Sequence, residues 1–232
     1  MKYLFFAVFF SALVNCQTQD KSINVKLKNE LAKIDHDDQI YRELMQRDIS
    51  PEHRLQIMKE KNLTEEDATT GLSALMTIKD DKNLARIEEV IKKYGYPGKS
   101  LVGEPENRTA WLVIQHSPKI NQYLPLIKKA ADDKELPFKL YAMMLDRQLM
   151  YENKEQIYGT QGSYLNIMKD GKPEMLNLIW PIKDADQVNE KRKEAGFDKT
   201  VEEYAKVIFG KDFIYKKYTL SEVLELKKGR KK

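Results

Sequence analysis

Apolar residues return every three or four positions along most of this chain, which is the spacing of amphipathic helices. Leu27, Leu31 and Ile34 open the series and, after a polar turn, Ile40, Tyr41, Leu44 and Met45 continue it. Ile49-Ser50-Pro51 interrupts, because proline has no backbone donor and restricts the residue before it; a short helix follows from Glu52 to about Lys61. Thr64, with Asp67 three residues on, is a capping pattern that predicts another helix start. Leu84, Ile87, Val90, Ile91 and Tyr94 share one side of a helix that stops at Gly95 and Pro97. Gly95 to Asn107 holds three glycines and two prolines and reads as irregular. Thr109 to Ile114 is apolar on every side, the mark of a buried helix, and runs into Gln115 and His116 before Ser117-Pro118. Two further helices are predicted, Lys119 to about Lys134 and Pro137 to about Tyr151.

The period then changes. From Gln156 to Met168, and again from Met175 to Trp180, apolar residues come in short strand-like runs. Between them Lys169-Asp170-Gly171-Lys172 carries the Asp-Gly pair of a tight hairpin turn. The segment YGTQGSY (158–164) has no helical stripe and reads as the beginning of this hairpin, Gly159 and Gly162 permitting a close backbone approach or a bulge. Helices resume at Asp184 to Ala195 and at Thr200 to Phe209, the latter opened by a Thr200/Glu203 capping box. The pattern predicts a mainly α, multi-helix single domain over 25–226 with one inserted β-hairpin at about 156–180.

Composition agrees with that class. At 232 residues, 41% hydrophobic and 33% charged, the chain can build one ordinary core and is neither disordered nor a multi-span membrane protein. The formal charge of +4 is concentrated at the end, where Lys227 to Lys232 contains five basic residues. Without those five and Lys2, 34 basic residues face 36 acidic ones, so the body offers no basic stripe for nucleic acid. The run 227–232 reads as a solvated basic tail, contact with anionic lipid being the other reading. At the opposite end, Met1-Lys2 precedes twelve uncharged residues, Tyr3 to Val14, too few to span a bilayer and fitting a secretory signal. The one cysteine, Cys16, follows at once. Leu13-Val14-Asn15-Cys16 resembles the lipobox of bacterial lipoproteins, departing from it at Asn15, where Gly, Ala or Ser is usual. On that reading 1–16 are signal and anchor, Cys16 is lipidated, 17–24 are a tether, and the protein sits in the cell envelope, held to a membrane and facing the periplasm or the surface; a plain signal peptide cleaved nearby is the alternative.

Candidate chemistry is sparse. HExxH, CxxC, GxSxG, phosphate-loop and dinucleotide patterns are missing, and His36, His53 and His116 lack metal-ligand spacing, so neither a metal nor a cofactor is expected. What remains is a set of polar residues where the pattern predicts burial: Gln115 and His116 after the all-apolar helix, Asp146 and Arg147 within a Met- and Leu-rich one, and Tyr158, Thr160 and Gln161 at the hairpin. Arg147 shares a side with Leu140, Met143 and Met144, where a charge must be paired or open to a wet cleft. Neighbours on a helix point about 100° apart, so only one of each dipeptide can address a given point. In one reading these groups line a pocket, with His116 suited to acid–base work and Arg147 to a carboxylate or phosphate. In the other, Asp146 and Arg147 form a buried ion pair while Gln115 and His116 bond loop backbone. Asp37, Asp38, Gln39 and Arg42 read as a solvated face.

Taken together, GYPGKSLVG, AWLVIQHS, LDRQLM, QIYGTQG and WPIKDADQVNEKRKEAGF resemble an uncharacterised bacterial family, domain of unknown function 6624. The likeness covers about 85–205 well and the first helix loosely, through Asp38, Gln39 and Arg42. It departs at Tyr96, where tryptophan is commoner, and at Ser117-Pro118. The resemblance implies that Gln115, His116, Asp146, Arg147 and Tyr158 to Gln161, with Val188 and Arg192 downstream, are the family's signature; it implies no activity. The expectation is an exported lipoprotein whose domain binds a small anionic ligand or a peptide. The alternative is a metal-independent hydrolase or transferase using His116 as acid or base.

Overall fold

The computed structural model describes residues 22–46, 48–169 and 171–228; the leader, Cys16 and the end of the basic run lie outside them. Helix α1 (Val25–Glu43) starts where the Asn24 side chain accepts the Leu27 N–H, so the last residue assigned to the tether is a helix cap. It runs unbroken through the polar turn. Helix α2 (Pro51–Lys61) is capped by Ser50 with proline at its first position. No helix grows from Thr64. Thr64 and Asp67 do exchange hydrogen bonds, but Thr69 and Thr70 donate their hydroxyls back to the carbonyls of Glu65 and Glu66, and the Gly71 N–H closes on Glu66. These local bonds satisfy the backbone as a run of turns. Helix α3 (Leu72–Tyr94) begins after them, well before Leu84.

The segment expected to be irregular contains a four-residue helix, α4 (Lys99–Val102), and a 3-10 turn (Glu106–Arg108). Helices α5 (Thr109–Gln115), α6 (Ile120–Asp132) and α7 (Phe138–Tyr151) follow. Strands β1 (Gly162–Lys169) and β2 (Lys172–Ile179) pair antiparallel in continuous register from Gly162 opposite Ile179 to Lys169 opposite Lys172, with no bulge. The first strand thus starts at Gly162 rather than Gln156. A 3-10 turn (Ala185–Gln187) leads to α8 (Val188–Glu194) and α9 (Val201–Phe209), whose Thr200/Glu203 capping box is formed on both sides. A last helix, α10 (Leu220–Lys228), was not anticipated. Lys227 and Lys228, assigned to the solvated tail, form its last turn, and Lys227 Nζ bonds Asn153 Oδ1 at 3.0 Å above the Trp180 ring. Among the described residues the fold is therefore mainly helical, ten helices and a single hairpin.

The main core lies among α1, α3, α5, α6 and α7, where Leu31, Ile87, Ile114, Ile127 and Met144 are fully buried. Every residue of α5 is buried, as expected of a helix apolar on all sides. A smaller cluster forms where α2 closes Ile57 and Met58 onto Ile40 and Tyr41 of α1 and Leu44 just beyond it. One face of the hairpin packs Leu165 and Leu178 with Trp180 against Val223 of α10. At the base of its other face a Cβ on Gly162 would stand 2.7 Å from the Phe209 ring of α9, so only glycine admits the contact. Gly159 is the second close approach: φ is +66° and a Cβ would meet Ile182 and Val201 at 2.8 Å.

Candidate functional site

The loop 156–161 meets backbone partners only at its ends, where Gln156 bridges the 181–183 segment and the Gln161 carbonyl accepts the Trp180 N–H, so the groups between them need side chains. Asp146 of α7 supplies the acceptors. Its carboxylate, wholly buried, takes the N–H groups of Ile157 at 2.8 Å, Tyr158 at 3.1 Å and Thr160 at 3.0 Å, and the Thr160 hydroxyl at 3.0 Å. Burial pushes the Asp146 carboxyl above its ordinary range, and those four donors pull against it. Gln156, also fully buried, serves the other end: its Oε1 accepts the Gln161 N–H at 2.9 Å, and its Nε2 donates to the carbonyls of Gln161 and Trp180 at 3.1 and 2.6 Å. Gln161 Nε2 donates to the Met143 carbonyl at 3.3 Å and to Thr160 Oγ1 at 3.0 Å.

Arg192 of α8 holds the outer side of the same loop. Its Nη1 donates to the Tyr158 carbonyl at 2.7 Å and its Nε to the Lys199 carbonyl at 2.8 Å, while the guanidinium lies 4.7 Å from the Phe197 ring centre and 5.0 Å from that of Tyr204. Burial lowers its affinity for the proton relative to free arginine. Tyr158 is half-buried between the rings of Phe138 and Phe197 and lines a cleft of about 310 Å³ with Ile157, Lys191 and Glu194. Asp146, Thr160 and Gln161 are thus brought together, but their polar atoms are engaged with one another and with backbone.

The buried Asp146–Arg147 ion pair does not form. Asp146 faces inward to the loop, and Arg147, one helical step round, is half-buried with a single bond, from Nη1 to the Gln115 carbonyl at 3.3 Å. Among the described residues it has no acidic partner. Its charge and that of Arg192 both act on Tyr204, whose phenol burial nevertheless pushes up. Gln115 closes α5, and His116 is the residue that caps it.

His116 bonds neither Arg147 nor loop backbone through its ring. Its Nδ1 stands 3.2 and 3.4 Å from the two carboxylate oxygens of Asp38 on α1, and Nε2 has no hydrogen-bond partner among the described residues. Asp38 is therefore not on a solvated face: it is 1% exposed. Gln39 Nε2 donates to its Oδ2 at 2.7 Å, and Arg42 approaches that oxygen to 3.8 Å while donating to the Asp38 carbonyl at 3.1 Å. The other end of the Arg42 guanidinium grips both oxygens of Asp80 on α3 at 2.9 and 3.0 Å. Asp80 carried no signal within its charge run Lys79 to Lys82, and Gln156 none beyond standing before YGTQ. Among the described residues no three His, Cys, Asp or Glu side chains converge in a way that could hold a metal ion.

The polar residues thus divide. Asp146, Gln156, Thr160, Gln161 and Arg192 lock a loop; His116, Asp38, Arg42 and Asp80 form a half-open polar cluster at the end of α5, and Arg147 bonds the last carbonyl of that helix. The sequence matches the model of the Family of unknown function (DUF6624) over residues 42–215, which takes in all of these except Asp38. No curated protein and no solved structure matches the chain.

Proposed function

We propose that this chain, which belongs to the Family of unknown function (DUF6624), is an exported, lipid-anchored protein of the cell envelope that binds a small anionic ligand beside the C-terminus of α5. The anchoring half of the reading rests on Tyr3 to Val14 followed by Cys16. Cys16→Ala is expected to move the protein from the membrane fraction to the soluble one; unchanged fractionation would remove the lipid anchor from the proposal.

The binding half rests on Arg147. A half-buried guanidinium with one 3.3 Å bond to a carbonyl and no carboxylate partner keeps its fork of donors available for a carboxylate or phosphate. A peptide presenting its terminal carboxylate would meet the same donors. Since Arg147 contributes so little to the fold, Arg147→Ala is expected to lose under about 1 kcal/mol and to melt within roughly 2–4 °C of the parent. Thermal unfolding with propionate, lactate, N-acetylalanine or phosphate should raise the parent's melting temperature and leave the variant's unmoved. A variant that melts far below the parent, or that keeps the stabilisation, sinks the reading.

The His116–Asp38 contact favours a second reading. With Nδ1 turned to a buried carboxylate, the outward Nε2 has the orientation of a general base for a hydrolase or transferase. Turnover of a chromogenic ester by the parent, lost in His116→Ala, would decide for that reading; stabilisation without turnover decides for the binder.

A further inference from the structure

The loop lock fixes one residue more firmly than its neighbours. Asp146 accepts the Tyr158 N–H, Arg192 donates to the Tyr158 carbonyl, and Gly159 turns the chain next to it at φ +66°. The ring so held is half-buried and stands 6.5 Å from that of Phe138, centre to centre, on the wall of the 310 Å³ cleft; Ile157 and Ala195 complete the apolar lining. That volume is at the small end for ligand sites. The Tyr158 hydroxyl, at this wall, makes no hydrogen bond to any described residue.

Two charged side chains line the cleft, and they differ. Lys191 Nζ is turned to the Lys183 carbonyl at 3.4 Å and to Asp184 Oδ2 at 3.3 Å. Glu194, the last residue of α8, makes no hydrogen bond or ion pair through its carboxylate among the described residues. The charges nearby are already matched: Lys139 stands 3.9 Å from Asp198, and Arg192 is engaged by two carbonyls. The Tyr158 phenol is pushed up, first by burial and then by Tyr141, Asp146 and Glu194, so the charges it feels are negative.

We propose that this cleft is a second binding site, separate from the Arg147 anion site, and that it takes a small organic cation with a quaternary ammonium head. A cation against the Tyr158 and Phe138 rings is attracted by their π electrons, and Glu194 supplies the counter-charge. The methyl groups of such a head meet Ile157 and Ala195, whereas a primary ammonium, strongly hydrated, would have to shed water to enter. An anion would meet the Glu194 carboxylate. The proposal does not rest on the anion reading, and failure of propionate to bind leaves it standing.

The test is a proton-NMR titration of the full chain with choline and with dimethylbutanol, its uncharged carbon isostere, at constant ionic strength. The parent should bind choline about ten-fold or more tightly than the isostere. Glu194→Gln, at an exposed position, should melt with the parent, weaken choline at least about three-fold and leave the isostere unchanged. Tyr158→Leu, apolar but without a ring, should lower the choline preference further, and Arg147→Ala should keep it as in the parent. Equal affinities of the parent for the two guests, or no saturable binding of choline, overturn the proposal. A choline affinity unchanged in Glu194→Gln also overturns it, because the cation then sits elsewhere, and so does its loss in Arg147→Ala. If Tyr158→Leu does not fold, Glu194→Gln alone decides.

Discussion

Replacing Asp146 by alanine is expected to cost about 3–5 kcal/mol and to lower the melting temperature by roughly 10 °C or more. Four donors close on this carboxylate, three of them backbone N–H groups from the middle of the loop, between its paired ends. Each buried donor left without an acceptor costs about 1–3 kcal/mol, so the sum would exceed the expected figure if nothing relaxed. Two effects reduce it. The carboxylate no longer has to be stripped of water, the cost that raises its pKa, and water can follow the truncated side chain. Asp146→Asn should lose about half as much, since the amide keeps one acceptor but turns its NH2 toward donors. Denaturant unfolding followed by tryptophan fluorescence is a suitable measurement, because Trp180 donates its indole N–H to the Lys154 carbonyl and meets Gln156 through its own. A loss under about 1 kcal/mol would mean that Gln156 and Arg192 hold the loop without Asp146. The contrast with Arg147→Ala is the informative part: adjacent residues on one helix, one expected to be near-neutral and the other severe.

Which of the two faced inward could not be read from spacing. Leu140, Met143 and Met144 put Arg147 on the apolar side, yet Asp146 is the wholly buried one; the choice is made by a loop eleven to fourteen residues later that needs acceptors. The same blindness set the hairpin's start too early. Gln156 to Gln161 reads as the start of a strand-like run, yet only its ends meet backbone partners; its middle is bonded by the side chain of Asp146, and a pattern of apolar positions does not register a side-chain partner. Helix interiors and caps were legible because their bonds are local: Ser50 at α2, Gly95 at α3 and the Thr200/Glu203 box behave as their types require. Thr64 shows the limit, its capping pair forming while the hydroxyls of Thr69 and Thr70 take the carbonyls a helix would use. Asp38 was legible in principle. It follows Leu27, Leu31 and Ile34 at helical spacing, but three acidic residues between 35 and 38 resemble a wet surface. Asp80 reaches it only through the packing of α3 on α1, which no local pattern carries. In α10, Leu220, Val223, Leu224 and Leu226 are helically spaced but embedded among lysines and glutamates.

Arg192→Ala is the second large effect, about 3–4 kcal/mol. The guanidinium gives two donors to two carbonyls and fills the space between the Phe197 and Tyr204 rings, so alanine leaves both carbonyls wanting and opens a cavity. Lysine keeps the charge but neither the planar stack nor the fork, and Arg192→Lys should recover no more than half. Combined with Asp146→Ala, the loss should fall short of additive by about 1 kcal/mol or more, because Tyr158 is held twice, its N–H by Asp146 and its carbonyl by Arg192. Strict additivity in the double-mutant cycle would show two independent fastenings instead of one clamp. The clamp also bears on ligand binding: it fixes α7, hence Arg147, against α8 and the loop. If that placement matters, Arg192→Ala below its melting point should bind propionate more weakly than the parent, with Arg147 and His116 both intact. If its affinity is unchanged, the lock stabilises the domain and Arg147 is placed by α5 and α7 alone.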